Sequence, residues 1–140
     1  METMKLYFAY GANLSLDSMA WRCPRAQPVS AFYLQDWRLE LHCHATIRPS
    51  PGDSVAGALW RITPDCEASL DAFEGYPVYY GKQIIQQDGI EFMVYVMNEP
   101  VRGQPSSGYV NLLAEGYEDW QLPLPALQRA RSGYRDPIAC

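Results

Sequence analysis

The chain has 140 residues, 48% of them hydrophobic and 19% charged, with a formal charge of −5. That length and composition fit one packed domain and argue against intrinsic disorder. Basic residues are scattered and outnumbered by acidic ones. The concentrated positive field that nucleic acid or an anionic membrane surface requires is therefore missing, and no apolar run reaches the roughly 18 residues needed to span a bilayer.

Read in chain order, Lys5 to Tyr10 is a buried strand that stops at Gly11-Ala12-Asn13. Ser15 caps a short helix that runs through Cys23, and Pro24 ends it. Strands are predicted over Val29 to Leu34 and Trp37 to His42, the second with Trp37, Leu39 and Leu41 alternating with polar neighbours. Arg48 to Asp53 is rich in Pro, Gly and Asp and reads as a loop, followed by a strand over Val55 to Ile62. Thr63-Pro64 is a strong helix start, and Gly75 with Pro77 just beyond is a matching stop. Two strands, Tyr79 to Gln87 and Ile90 to Met97, flank Asp88-Gly89, a pair suited to the positive φ angles of a tight hairpin turn. A helix follows over Ser107 to Glu115, and another from about Leu122-Pro123 toward Tyr134. The expected fold class is α+β, a small mixed β-barrel with flanking helices. Residues 1–134 form its single domain and 135–140 a loose tail.

Cys23, Cys43, Cys66 and Cys140 show no paired spacing, so the reading is reduced thiols in a cytoplasm. The opening residues, with acidic Glu2 and a turn by Gly11, do not have the pattern of a secretory leader. His42 and His44 share a strand face around Cys43, but a metal site needs further ligands at matching positions. No metal and no cofactor is expected.

One residue breaks the pattern of its element. In the helix from Pro64 to Glu74, the polar side carries Asp65, Glu67 and Asp71. Cys66, Leu70 and Glu74 lie at successive i+4 steps on the other side, with Phe73 beside them. Glu74 thus falls on the apolar stripe, in the last turn, where the helix dipole disfavours a negative charge. Desolvation and dipole both favour the protonated carboxyl, which is the tuning that proton transfer near neutral pH requires. The competing reading is a frayed helix end that turns Glu74 out to water.

The loop Tyr10-Gly11-Ala12-Asn13-Leu14 is the second candidate. Its successive N–H groups and the helix start near Leu16 can form an anion-binding nest, and Asn13 adds a side-chain amide. A plain strand-to-helix turn would use the same residue types.

Together these segments resemble the γ-glutamylcyclotransferase family. Tyr10-Gly11-Ala12-Asn13-Leu14 is similar to its Tyr-Gly-Ser-Asn-Leu loop. Arg22-Cys23-Pro24, Ala45-Thr46-Ile47, the segments Asp53 to Trp60 and Leu70 to Gly75, and Pro105 to Tyr109 with Leu112-Leu113 follow in the order and spacing of bacterial members. The resemblance covers most of residues 4 to 130. It implies a small β-barrel with flanking helices that cleaves a small-molecule γ-glutamyl amide by internal cyclisation, releasing 5-oxoproline and an amine. It further implies that Glu74 is the catalytic carboxyl and that Gly11, Ala12, Asn13 and Leu14, with Tyr10, bind substrate. Tyr80 and Tyr109 correspond to supporting tyrosines. Ala12 departs from the motif: its N–H survives, but a serine hydroxyl and its hydrogen bond, about 0.5–1.5 kcal/mol, are gone. A non-catalytic module that holds a small anionic metabolite or a protein partner in the same pocket is the alternative reading.

Overall fold

The computed structural model describes residues 3–133 and 140. Among these, a five-stranded mixed sheet is flanked by four α-helices. The order across the sheet is β2 (Gln27–His42), β3 (His44–Ile62), β1 (Lys5–Ala9), β5 (Ile90–Met97) and β4 (Tyr80–Gln87). The central strand β1 (Lys5–Ala9) runs antiparallel to β3 (His44–Ile62) and parallel to β5 (Ile90–Met97). Its side chains alternate between two buried cores. Tyr7 and Ala9 enter one, with Met19, Cys66 and Leu70, while Phe8 enters the other, with Leu113, Tyr117 and Leu127. A strand covered on both faces reads as a continuous apolar run, which is the pattern at Leu6 to Ala9.

Past β1 the chain makes a 3₁₀ turn over Ala12–Leu14 and enters α1 (Leu16–Arg22). The Ser15 hydroxyl caps α1 by accepting the Ser18 N–H. The predicted strands at 29–34 and 37–42 are one strand, β2 (Gln27–His42), paired along β3. The segment expected as a loop, Arg48 to Asp53, is carried inside β3: Arg48 and Pro49 stay paired with β2, and residues 50–53 form a bulge. Its physical basis is local: the Gly52 N–H donates to the Asp36 carboxylate at 2.9 Å, and the Ser50 hydroxyl donates to the Asp53 carboxylate. Those bonds meet polar demands that a loop would have left to water.

The barrel expectation needs one correction. The ladder is open, because β2 and β4 (Tyr80–Gln87) stand at opposite ends of the strand order. A side chain bridges them: Gln87 accepts the Gln35 N–H at 2.8 Å and donates to the Tyr33 carbonyl at 2.9 Å. The sheet curls until its edges approach without sharing backbone bonds.

Helix α2 (Pro64–Glu74) begins and ends as its sequence predicts. Thr63 accepts the Cys66 N–H, Pro64 occupies the first turn, and Gly75 takes a left-handed φ of 68° as the cap. A capping hydroxyl of this kind stabilises a helix by about 1 kcal/mol. The hairpin β4–β5 turns at Asp88 and Gly89, with φ of 55° and 77°. Helix α3 (Ser107–Asp119) runs four residues beyond the predicted Glu115, and α4 (Leu124–Gly133) packs on β2. Both α3 and the 3₁₀ turn meet at Gly116, where a Cβ would stand 2.4 Å from Leu14 Cβ. Only glycine allows so close an approach.

The thiol expectation is also corrected. Cys43 is bonded to Cys140, while Cys23 and Cys66 are free and buried. The partners lie 97 residues apart in sequence, so no local spacing announces the pair. Of the tail expected over 135–140, all but Cys140 lies outside the described residues. No helix among the described residues is long and apolar enough to cross a membrane.

Candidate active site

A cavity of about 170 Å³ opens where the end of β1, the 3₁₀ turn and the end of α2 converge. It is lined by Tyr7, Tyr10, Gly11, Ala12, Asn13, His44, Ala45, Phe73, Glu74, Tyr79, Tyr80, Tyr95 and Tyr109. The volume suits one small metabolite; pockets for larger organic ligands run to about 300–1,000 Å³.

Glu74 is the last residue of α2, half-buried, and it faces this cavity. Cys66 and Leu70, the two earlier members of its i+4 row, are buried in the core. The row therefore aims Glu74 inward, and the turn to water does not occur. Phe73 behaves differently from the sequence reading. It is 47% exposed, with the Arg22 guanidinium 3.5 Å from its ring centroid. Burial pushes the Glu74 carboxyl up to about 7, against the opposing pull of the Arg22 charge. A carboxyl in that range can both accept and return a proton near neutral pH.

Asn13 faces Glu74. Its side-chain amide donates to Glu74 Oε1 at 3.3 Å and to the Tyr7 hydroxyl at 3.1 Å, and its Oδ1 accepts from Arg22. The buried Asn13 thus has both ends of its amide satisfied. Ala12 and Asn13 open the 3₁₀ turn, so their N–H groups have no partner within it. Leu14 does not join them. Its N–H is spent on the Gly11 carbonyl at 3.0 Å, and its side chain is fully buried against α3. The start of α1 is likewise committed elsewhere, since the Leu16 N–H donates to Asp119 at 2.9 Å. The nest read from sequence therefore contracts to Gly11, Ala12 and Asn13.

Six tyrosines stand in the wall. Tyr80 and Tyr109 brace the backbone of one β3 residue from its two flanking peptides: the Tyr80 hydroxyl donates to the Ala45 carbonyl at 2.5 Å, and the Tyr109 hydroxyl accepts the Ala45 N–H at 2.9 Å. The Tyr10 hydroxyl is turned away from substrate chemistry, donating to the Tyr95 carbonyl at 2.7 Å. Burial raises the pKa of Tyr7, Tyr10, Tyr79, Tyr80, Tyr95 and Tyr109, so all hold their protons at neutral pH. Burial lowers that of His44, which stays neutral there.

The structure also brings to the cavity residues that the sequence reading places elsewhere: it gives Tyr95, with Tyr76 and Tyr79, to packing that could wall a pocket, weighs His44 only as a metal ligand, and does not single out Tyr7. Tyr7 reaches the cavity from β1, Tyr95 from β5, and His44 from β3 with its Nδ1 2.9 Å from the Tyr79 hydroxyl. Tyr95 donates to Asp71 at 2.6 Å, and Asp71 is held in turn by Lys82 at 2.9 Å. The signal for Tyr7 was present: it lies one alternation before Ala9 on a strand leading straight into the loop. Tyr95 and His44 depend on strand register and had none. Tyr76 packs on Lys82, 4.3 Å from its ring centroid, and is 40% exposed. Around the histidines, His42 pairs with Glu40 at 2.8 Å and Cys43 with Cys140. No metal-binding group of His, Cys, Asp and Glu is found among the described residues.

The family described as gamma-glutamyl cyclotransferase, AIG2-like, matches residues 7–122. Gamma-glutamylcyclotransferase of Homo sapiens is 30% identical over 145 aligned positions, covering 91% of this chain and 77% of its own length. The Bos taurus protein of the same name is 32% identical with the same coverage. A solved structure named gamma-glutamyl cyclotransferase superposes with a TM-score of 0.80 at 27% identity, covering 98% of this chain and 94% of its own. The matched segment spans every element that lines the cavity, from β1 to α3, and on these grounds the chain belongs to the gamma-glutamyl cyclotransferase, AIG2-like family.

Proposed function

We propose that this protein cleaves a small γ-glutamyl amide by attack of the substrate's own α-amine on its γ-carbonyl. The products are 5-oxoproline and an amine. The observation that carries this reading is Glu74, a carboxyl pushed up to about 7 in a small cavity with Asn13 beside it.

The α-ammonium of the substrate gives a proton to the Glu74 carboxylate, and the freed amine attacks the γ-carbon. The carbonyl oxygen becomes an oxyanion, and the N–H groups of Ala12 and Asn13 are the donors placed to receive it or the substrate carboxylate. Glu74 then returns its proton to the nitrogen of the scissile amide, the C–N bond breaks as the oxyanion re-forms the carbonyl, and the ring nitrogen gives its second proton to the released amine, leaving 5-oxoproline. No protein nucleophile enters the sequence. Ring closure is intramolecular, and holding the near-attack geometry supplies up to about 7–11 kcal/mol. The protonated tyrosines around the cavity exclude water and offer only neutral hydrogen bonds, so the single carboxyl keeps its tuned basicity.

Incubation with γ-glutamyl amino acids, γ-glutamyl amines and glutathione, assayed for 5-oxoproline, tests the reading. Formation of 5-oxoproline by the wild type and its loss in Glu74→Gln supports it. Thermal stabilisation by one of these compounds, recovered unchanged at high enzyme concentration, would instead establish a binding module.

A further inference from the structure

Arg22 closes α1 and does not line the cavity, yet it touches both sides of the Asn13–Glu74 contact. Its guanidinium donates to Asn13 Oδ1 and rests on Phe73, the residue preceding Glu74. We infer that Arg22 is a positioning residue of this site: it decides which end of the Asn13 amide meets Glu74 and ties the loop to the end of α2. The inference rests on the catalytic reading above and extends it to a residue outside the cavity.

A guanidinium only donates, and of the two ends of an asparagine amide only Oδ1 accepts. The bond from Arg22 therefore forces Oδ1 outward and leaves Nδ2 facing Tyr7 and Glu74. The flipped amide would set N–H against N–H at Arg22 and a carbonyl dipole against the carboxylate at Glu74. Both contacts would be repulsive, so one bond selects the orientation. Stacking on Phe73 adds a cation–π contact and fixes the guanidinium plane.

Charge works in the same direction. The ionisable groups around Glu74 are tyrosine hydroxyls: Tyr7 from β1, Tyr10 just past it, Tyr79 and Tyr80 at the start of β4, Tyr95 from β5 and Tyr109 from α3. His44 of β3 also lines the cavity and is neutral at pH 7. On α2 itself, Asp71 is engaged by Tyr95 and Lys82. Among these neighbours the favourable charge at Glu74 comes from Arg22.

The test compares R22Q, R22K, N13A and the double variant N13A/R22Q. For R22Q, kcat/KM for a γ-glutamyl amide is expected to fall at least about tenfold, mainly through kcat, as a misplaced reacting group costs. The acid limb of its pH profile moves to higher pH. R22K keeps the charge and restores that limb, but lacks the planar fork and recovers only part of kcat. The double variant is no worse than N13A, because both act through one amide. The Glu74 carboxyl, followed by carbon NMR in unliganded protein, titrates at higher pH in R22Q than in wild type. A wild-type profile and titration in folded R22Q, or losses that add in full in the double variant, would overturn the inference. The NMR titration needs no turnover, so a wild type that makes no 5-oxoproline overturns the catalytic reading while Arg22 is still judged by that measurement.

Discussion

Asn13 and Glu74, separated by 61 positions in the chain, meet at 3.3 Å, one at the start of a 3₁₀ turn and the other at the end of a helix. The contact places an amide donor beside a carboxyl raised to about 7. Glu74→Gln keeps the shape and removes the proton carrier, so 5-oxoproline formation should drop by about 10²–10⁴ in kcat with the fold intact. Steady-state kinetics with circular dichroism on the same sample checks both halves. For the wild type, kcat/KM rises with pH through about 7 as Glu74 ionises.

Stability should carry the same signature with the opposite slope. The folded state holds the Glu74 proton more tightly than the unfolded chain, since the carboxyl is raised from 4.5 to about 7. Its contribution is therefore complete below pH 4.5 and is lost as pH climbs through about 7. For a half-buried group, solvent screening trims the effect to the order of 1–3 kcal/mol. Urea unfolding of wild type and Glu74→Gln between pH 4 and 8 should show the difference between them shifting in favour of the variant as pH rises. A difference that is flat across this window would contradict the raised carboxyl.

Ala12 lines the cavity and is nearly buried. Ala12→Ser adds one hydroxyl at the position where the related loop motif carries it. A neutral hydrogen bond of about 0.5–1.5 kcal/mol corresponds to roughly a two- to twelvefold gain in kcat/KM for a γ-glutamyl substrate. Kinetics on the compound turned over by the wild type reads this directly. No change, or a loss, would show that the substrate leaves that side of the loop unoccupied.

Gly116 sets the loop from behind. A Cβ there would stand 2.4 Å from Leu14 Cβ and 3.0 Å from the Ser15 nitrogen. Gly116→Ala must displace the 3₁₀ turn or α3, at about 1–3 kcal/mol of overpacking. It should raise KM as well, because Ala12 and Asn13 move with Leu14. Alanine at exposed Gly108, where the nearest atom would be 4.0 Å away, is the control that leaves both stability and KM near wild type.

The parts legible in the sequence are those whose causes are local. Thr63-Pro64 and Gly75 bound α2 because a cap acts within one turn, and Asp88-Gly89 placed the β4–β5 hairpin for the same reason. Glu74 stood out because an acidic residue on an i+4 apolar row is anomalous wherever the helix packs. Tyr80 and Tyr109 came from resemblance alone, and what they brace, the backbone on both sides of Ala45, could not be read at all. Arg48 to Asp53 was misread because its Pro and Gly residues suggest a break, whereas Asp36, across the ribbon, supplies the bond that keeps the strand going. Leu14, expected with its N–H in the substrate loop, spends that N–H on the Gly11 carbonyl, and its side chain packs at Gly116 more than a hundred residues away, neither of which a five-residue motif contains. His44, Tyr95 and the Cys43–Cys140 bond belong to long-range pairing, which no short window contains.

The cavity draws its lining from Tyr7 at one extreme of the sequence to Tyr109 near the other, with β1 inserted between β3 and β5. No contiguous fragment assembles it, so a ligand seated there clamps the whole domain at once. Occupancy and cooperative unfolding are then a single equilibrium. A compound that protects this pocket should slow amide hydrogen exchange in β1 and in α3 alike, although their nearest ends are almost a hundred residues apart along the chain.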